Sequence, residues 1–272
     1  MTQRLAAAGA LLLVYLLVRA FWMAPEPHLR VFDYAWAEGL LKVALWVAPA
    51  VVLTMAVERV GAGGAWQALG LRGGAGRGLG FGLLVTVPMA VVLPFGALDL
   101  PTLDVLVGAV LLGPFAEEVL FRGFLLGRLR RAGLRPSSAI AISAAAFGLA
   151  HVQHSDLLLV RVLVTPVLGG WQGSFLDQAV GQMVVTAGGG ALFGWIVYRW
   201  GSLWPAIGLH ACINLWWSLG GAGADVPTAP EAALLSVGHA IAALAAVAIT
   251  MRRDADYSSR RTSRLGDLKL RD

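Results

Sequence analysis

Apolar residues along this chain fall in long runs, and polar residues gather in the short stretches between them. The runs cover residues 5–23, 39–57, 79–98, 105–127, 137–154, 178–198, 203–220 and 231–251. A helix needs about 20 predominantly apolar residues to cross the hydrocarbon core of a bilayer. The pattern therefore predicts an all-α fold, a polytopic transmembrane helical bundle of about eight spans.

Two segments and the tail depart from this pattern. Residues 58–78 are rich in glycine, which favours an interfacial stretch. Residues 155–177 mix apolar and polar residues with Pro166, Gly169 and Gly170, so we expect a re-entrant or interfacial loop. Residues 252–272 are polar and are expected to be disordered. The prediction is a single membrane-embedded domain over residues 1–251, followed by a polar tail.

Composition supports a membrane protein. Hydrophobic residues make up 58% of the chain and charged residues 14%, and the mean hydropathy is +0.73, whereas a soluble domain carries about 25% charged residues. The isoelectric point near 10.0 can indicate a nucleic-acid partner. Because the basic residues here flank the apolar runs, we expect the lipid bilayer as the partner and no nucleic acid.

The placement of Lys and Arg predicts the orientation of the spans. Most of them lie in one alternating set of segments: the N-terminus, residues 58–78, residues 128–135, the turn at Arg199 and the tail. The loops on the other side hold only Arg30 and Arg161. Since cytoplasmic loops carry an excess of Lys and Arg, we predict a multi-pass protein of the cell membrane with both termini in the cytoplasm.

The fourth span contains three ionisable residues, Glu117, Glu118 and Arg122. Ionisable groups inside spans are costly and usually face the bundle interior, where they mark functional sites. Glu118 and Arg122 are four residues apart on one helix face and can form an ion pair. Glu117 points about 100° away and has no partner on its own helix. This spare carboxylate is a candidate general base.

Two further spans add polar side chains that face such a carboxylate. His151 lies near the end of the fifth span, and His210 and Asn214 share one face of the seventh span. His154, His239 and Cys212 are interpreted instead as interfacial or packing residues.

This set of residues leaves two chemistries open. Glu117 can deprotonate a water that attacks a peptide bond, with a histidine positioning the water or passing the proton to the leaving amine. His210 and Asn214 can then hydrogen-bond the developing oxyanion. Alternatively, Glu117, His151 and His210 can hold a divalent metal such as zinc that activates the water. The zinc-protease motif His-Glu-x-x-His and the elbow Gly-x-Ser-x-Gly are absent from the sequence.

Three short motifs in this order resemble the CAAX protease and bacteriocin-processing (CPBP) family, also called the abortive-infection family. The motifs are Glu-Glu-x-x-x-Arg at residues 117–122, Phe-x-x-x-His at residues 147–151 and His-x-x-x-Asn at residues 210–214. The resemblance covers residues 105–220 and implies a helical bundle with an intramembrane endopeptidase site. The resemblance implies that Glu117, His151 and His210 are essential. Together with Glu118, Arg122 and Asn214 they form the predicted catalytic set.

The family resemblance also implies the substrate class. Eukaryotic members trim prenylated CAAX proteins and bacterial members are linked to bacteriocin processing or self-immunity, so we expect a peptide or membrane-protein substrate. The family is often labelled a metalloprotease, although a metal-free glutamate mechanism is also argued for it. A membrane transporter or a non-catalytic immunity protein on the same scaffold is the alternative. A transporter would more often show paired broken helices in two related halves.

Overall fold

The computed structural model describes residues 6, 9–12, 34–92, 101–151 and 173–219. From residue 34 onward its helices, numbered in chain order, are α1 Ala35–Glu58, α2 Ala62–Ala68, α3 Ala75–Val92, α4 at residues 103–131, α5 Pro136–Ala150, α6 Gly173–Trp200 and α7 Trp204–Leu219. No strand occurs in the described residues, so the all-α prediction is confirmed for this part of the chain.

The middle six predicted spans correspond to α1 and α3 to α7. Several span boundaries lie a few residues from their predicted positions. For example, residues 173–177, expected in a loop, begin α6. Gly173 and Ser174 are residue types that commonly begin helices. Their low hydrophobicity favoured a loop in the sequence pattern, although it is compatible with a helix start. The described residues do not include most of the first predicted span, the eighth span, His154, His239 or the tail.

Only α1, with 24 residues, is both long and apolar enough to cross a membrane within the part of the chain that the structure describes. Ala75–Val87 and Pro136–Ala150 are apolar helical stretches of shorter length. The eight-span arrangement therefore stays a prediction.

Helix α4 lies at the centre of the bundle. Residues 116–126 are buried without a break, and Phe121 and Phe124 have no exposed surface. Burial on every face of this stretch means that other helices enclose it. The core of the molecule therefore surrounds the middle of α4, where the acidic motif lies.

Helix α4 is also irregular. Wider π-helical turns at Leu106–Leu112 and Val119–Leu126 flank the α-helical turn Gly113–Glu118. Such turns are rare and frequently occur at functional sites. In the second π-helical stretch the carbonyl oxygen of Phe121 accepts a hydrogen bond of 2.8 Å from the Ser143 hydroxyl of α5. The two glutamates thus sit between two irregular stretches of the central helix.

Helix α1 is docked along α4 at both ends. At its start, the Asp104 carboxylate accepts hydrogen bonds from the backbone N–H groups of Ala35 (2.9 Å) and Trp36 (2.8 Å). At its end, Glu58 pairs with Arg128 and lies 3.1 Å from Nε of Arg131. Since the starts of the two helices meet and their ends meet, α1 runs parallel to α4.

Glycines bring helices α3 and α7 close together. A Cβ placed on Gly208 of α7 would lie 2.0 Å from the carbonyl oxygen of Gly78, and one on Gly82 would lie 2.2 Å from that of Gly208. No other residue fits such an approach, and small residues of this kind are typical of helix contacts in membranes. This contact holds α7, which carries His210 and Asn214, against the bundle.

Candidate active site

The acidic motif of α4 is buried in the centre of the molecule. Glu118 and Arg122 are 0% and 1% exposed, and Glu117 is 6% exposed. The Nη1 atom of Arg122 donates a hydrogen bond of 2.9 Å to Oε1 of Glu118. The ion pair predicted from the spacing of four residues is therefore confirmed.

Glu117 meets partners from two other helices. Its Oε2 atom lies 3.2 Å from Nε2 of His151, which follows the last residue of α5. Its Oε1 atom lies 3.7 Å from Nζ of Lys42 on α1. The carboxylate that lacks a partner on its own helix thus has one basic group facing each oxygen.

The hydrogen bonds of His151 define where its protons lie. Its Nδ1 atom is 2.8 Å from the carbonyl oxygen of Phe147, and because a carbonyl only accepts, Nδ1 carries a hydrogen and donates it. A hydrogen bond between Nε2 and Glu117 then requires a second proton between them, bound either to the ring or to the carboxyl group. Glu117 and His151 together can take up or release this shared proton.

His210 pairs with the other glutamate. Its Nδ1 atom donates to Oε1 of Glu118 at 2.9 Å, so one oxygen of Glu118 serves both Arg122 and His210. The hydrogen bond fixes the tautomer of the ring and leaves Nε2 on its far side. The His210 ring stacks on Phe193, with centroids 5.1 Å apart.

Asn214 lies one turn after His210 and is only half-buried. Its side-chain amide donates a hydrogen bond of 2.9 Å to the backbone carbonyl oxygen of Ala109 in the first π-helical stretch of α4. This bond ties α7 to α4. The structure therefore uses one of the two amide hydrogens of Asn214 for an interhelical contact.

Phe147 occupies the junction between these groups. The Arg122 guanidinium lies 4.0 Å from its ring centroid, and the rings of His151 and His210 lie at 4.1 and 5.9 Å. A cation above an aromatic face is stabilised by the ring quadrupole. Phe147 of the second motif thus packs against all three of these polar side chains. The motif pointed to this position, but no role was predicted for it from the sequence.

Lys42 is the site residue that sequence reasoning missed. It lies within the second apolar run and is the only charged residue of positions 39–57. The same criterion that selected Glu117, an ionisable residue inside a span, would have selected Lys42.

The metal candidates do not form a ligand set. Among the described residues, no group of three or more His, Cys, Asp or Glu side chains is arranged to hold a metal ion. A catalytic zinc site needs three protein ligands converging on one point, so we derive no step through a metal.

Comparisons with known proteins agree with the motifs. Residues 99–216 match the family model described as type II CAAX prenyl endopeptidase Rce1-like. No curated protein and no solved structure matches the chain. The family is membrane-embedded and indicates a protease, which confirms the resemblance inferred from the three motifs. Residues 99–216, which contain Glu117, His151 and His210, are therefore similar to the Rce1-like family of type II CAAX prenyl endopeptidases.

Proposed function

We propose that this protein is an intramembrane endopeptidase in which Glu117 activates the water that hydrolyses a peptide bond. The observation that carries the proposal is the contact of 3.2 Å between Oε2 of Glu117 and Nε2 of His151. Both residues lie within residues 99–216, the segment that matches the family model. It provides a buried acid–base pair, the combination that general acid–base catalysis requires.

The proposed reaction uses Glu117 as the proton acceptor and His151 as the proton donor. Glu117 accepts a proton from a water molecule, and the water oxygen attacks the carbonyl carbon of the peptide. His151 delivers a proton to the leaving amine as the carbon–nitrogen bond breaks. The water oxygen ends in the new carboxyl group and keeps one of its hydrogens. The other water hydrogen stays on the Glu117–His151 pair, where it replaces the proton that His151 gave to the amine.

His210 is proposed to stabilise the oxyanion. Glu118 accepts the Nδ1 hydrogen of His210, which leaves Nε2 pointing away from this carboxylate. When the ring carries a hydrogen on Nε2 as well, it can donate to the developing negative charge on the carbonyl oxygen. Glu118 and Arg122 support this ring, and Asn214 assists by anchoring α7 to Ala109.

The substrate proposed is a prenylated peptide or membrane protein of CAAX type, in keeping with the family that residues 99–216 match. The low charge content and the positions of Lys and Arg support a multi-pass protein with both termini in the cytoplasm. A lipid-anchored peptide would then reach the buried glutamate by lateral diffusion in the bilayer.

The substrate class is tested with the purified protein in liposomes. A farnesylated peptide ending in a CAAX sequence and the same peptide without the farnesyl group are incubated separately, and products are identified by mass spectrometry. We expect cleavage after the modified cysteine in the farnesylated peptide only. Equal cleavage of both peptides would contradict the prenyl preference, and cleavage of neither by folded protein would contradict the function.

A further inference from the structure

Lys42 is a charged residue in a place where charge is costly. It belongs to α1, which lies outside the segment that the family match covers. Fifteen apolar or uncharged residues follow it before Glu58. An ionisable residue inside such a helix usually faces the bundle interior and has a functional reason to be there.

The contacts of Lys42 form a line of charges that leads from the surface to the proposed base. Its Nζ atom lies 2.9 Å from Oε1 of Glu38 and 3.7 Å from Oε1 of Glu117. The side chains of Glu38, Lys42 and Glu117 are 43%, 22% and 8% exposed. Lys42 therefore carries a positive charge to the buried carboxylate of the site.

The docking of α1 fixes where this charge stands. Asp104 caps the first turn of α1. A Cβ on Gly39 would lie only 2.8 Å from Cβ of Leu112 and 3.1 Å from Cα of Gly108. This close contact lies one turn before Lys42 and sets the distance between α1 and α4 at the level of the site.

We propose that Lys42 is a positioning residue of the active site, holding Oε1 of Glu117 so that Oε2 faces His151 and the attacking water. The proposal rests on the proposed function. A positive charge near 4 Å interacts strongly with a carboxylate where water is scarce. Lys42 then acts through Glu117, whose carboxylate it orients, and is not consumed in the reaction.

The test compares three variants with the intact chain in the liposome assay. Replacing the ammonium by an uncharged chain of similar length, Lys42→Met, is expected to lower kcat about 100-fold, since small misplacements of a catalytic group cost this much. KM should change less than about twofold, because substrate binding is untouched. Lys42→Arg restores the charge and should raise kcat at least about tenfold above Lys42→Met.

The matched control is Glu38→Gln, which removes the charge of another partner of Lys42 and leaves the contact with Glu117 in place. We expect kcat close to that of the intact protein. If Lys42→Met turns over normally while Glu117→Gln is inactive, the positioning role is wrong and the proposed function stands. If Glu117→Gln itself is fully active, the proposed function is wrong.

A fold defect in Lys42→Met is also informative. The variant would leave the buried Glu117 carboxylate with one basic partner fewer, a costly arrangement. Combining it with Glu117→Gln neutralises that carboxylate and should restore a folded, monodisperse protein. If the double variant fails to fold as well, Lys42 supports the helix packing and not Glu117, and the proposal is overturned.

Discussion

At the residue scale, one oxygen atom of Glu118 connects two helices. Oε1 accepts from Nη1 of Arg122 and from Nδ1 of His210, both at 2.9 Å. Glu118 therefore compensates the buried guanidinium and fixes the ring of His210. Its contacts are those of a supporting residue, whereas Glu117 is the proposed base.

Replacing Glu118 by Gln should destabilise the fold. The amide keeps the shape of the side chain but leaves the fully buried Arg122 without its counter-charge, and breaking a buried pair in this way costs about 3 kcal/mol. Thermal unfolding in detergent should show a clearly lower Tm. The double variant Glu118→Gln/Arg122→Met removes both charges and should recover part of the loss; additive effects of the two changes would contradict the pairing.

Sequence spacing predicted some of these contacts and missed others. Glu118 and Arg122 were paired correctly because residues four apart share a helix face. The contacts of Glu117 with His151 and Lys42 join three different helices, and spacing within one helix carries no information about them. The contact of His210 with Glu118 also joins two helices, so spacing within one helix did not predict it. From the sequence, His210 was expected only as an oxyanion donor or as a metal ligand.

At the element scale, close helix contacts position the side chains of the candidate site. Helix α7 carries His210 and lies against α3 through Gly78, Gly82 and Gly208. The hydrophobic pattern predicted that these helices exist. It did not predict which pairs touch, because glycines on an apolar helix face fit several neighbours equally well.

Filling this contact should separate the helices. Gly208→Ala would bring a methyl group to 2.0 Å from the carbonyl oxygen of Gly78, so α3 and α7 must shift, at a cost of about 1–3 kcal/mol. We expect a lower Tm together with reduced activity. The matched control is Gly80→Ala on α3, where a Cβ meets nothing within 4 Å; an equal effect of both variants would show that the contact is unimportant.

The π-helical stretches of α4 are a second feature that sequence could not supply. Leu106–Leu112 and Val119–Leu126 consist of ordinary helix-compatible residues, and no side-chain pattern distinguishes them from α-helix. A backbone carbonyl in each stretch accepts a hydrogen bond from another helix: Ala109 from Asn214 and Phe121 from Ser143. These same contacts attach α5 and α7, the helices that bring in the histidines.

At the scale of the whole molecule, the active site draws on more of the chain than the family segment. Residues 99–216 supply the two glutamates, both histidines and Asn214. Helix α1 supplies Lys42 and is attached to α4 by Asp104 at its start and by the pair of Glu58 with Arg128 at its end. The candidate residues followed from the motifs. Their arrangement into two carboxylate–histidine pairs followed only from the packing of α1, α4, α5 and α7.

The measurement that tests the central claim most directly is a single turnover of the farnesylated peptide in ¹⁸O-labelled water, with the products analysed by mass spectrometry. If Glu117 activates a water molecule, the new carboxyl group carries one ¹⁸O atom in the first turnover, and Glu117→Gln, folded as judged by its Tm, forms no product. An unlabelled first-turnover product, or labelled product from Glu117→Gln at the normal rate, would contradict the account.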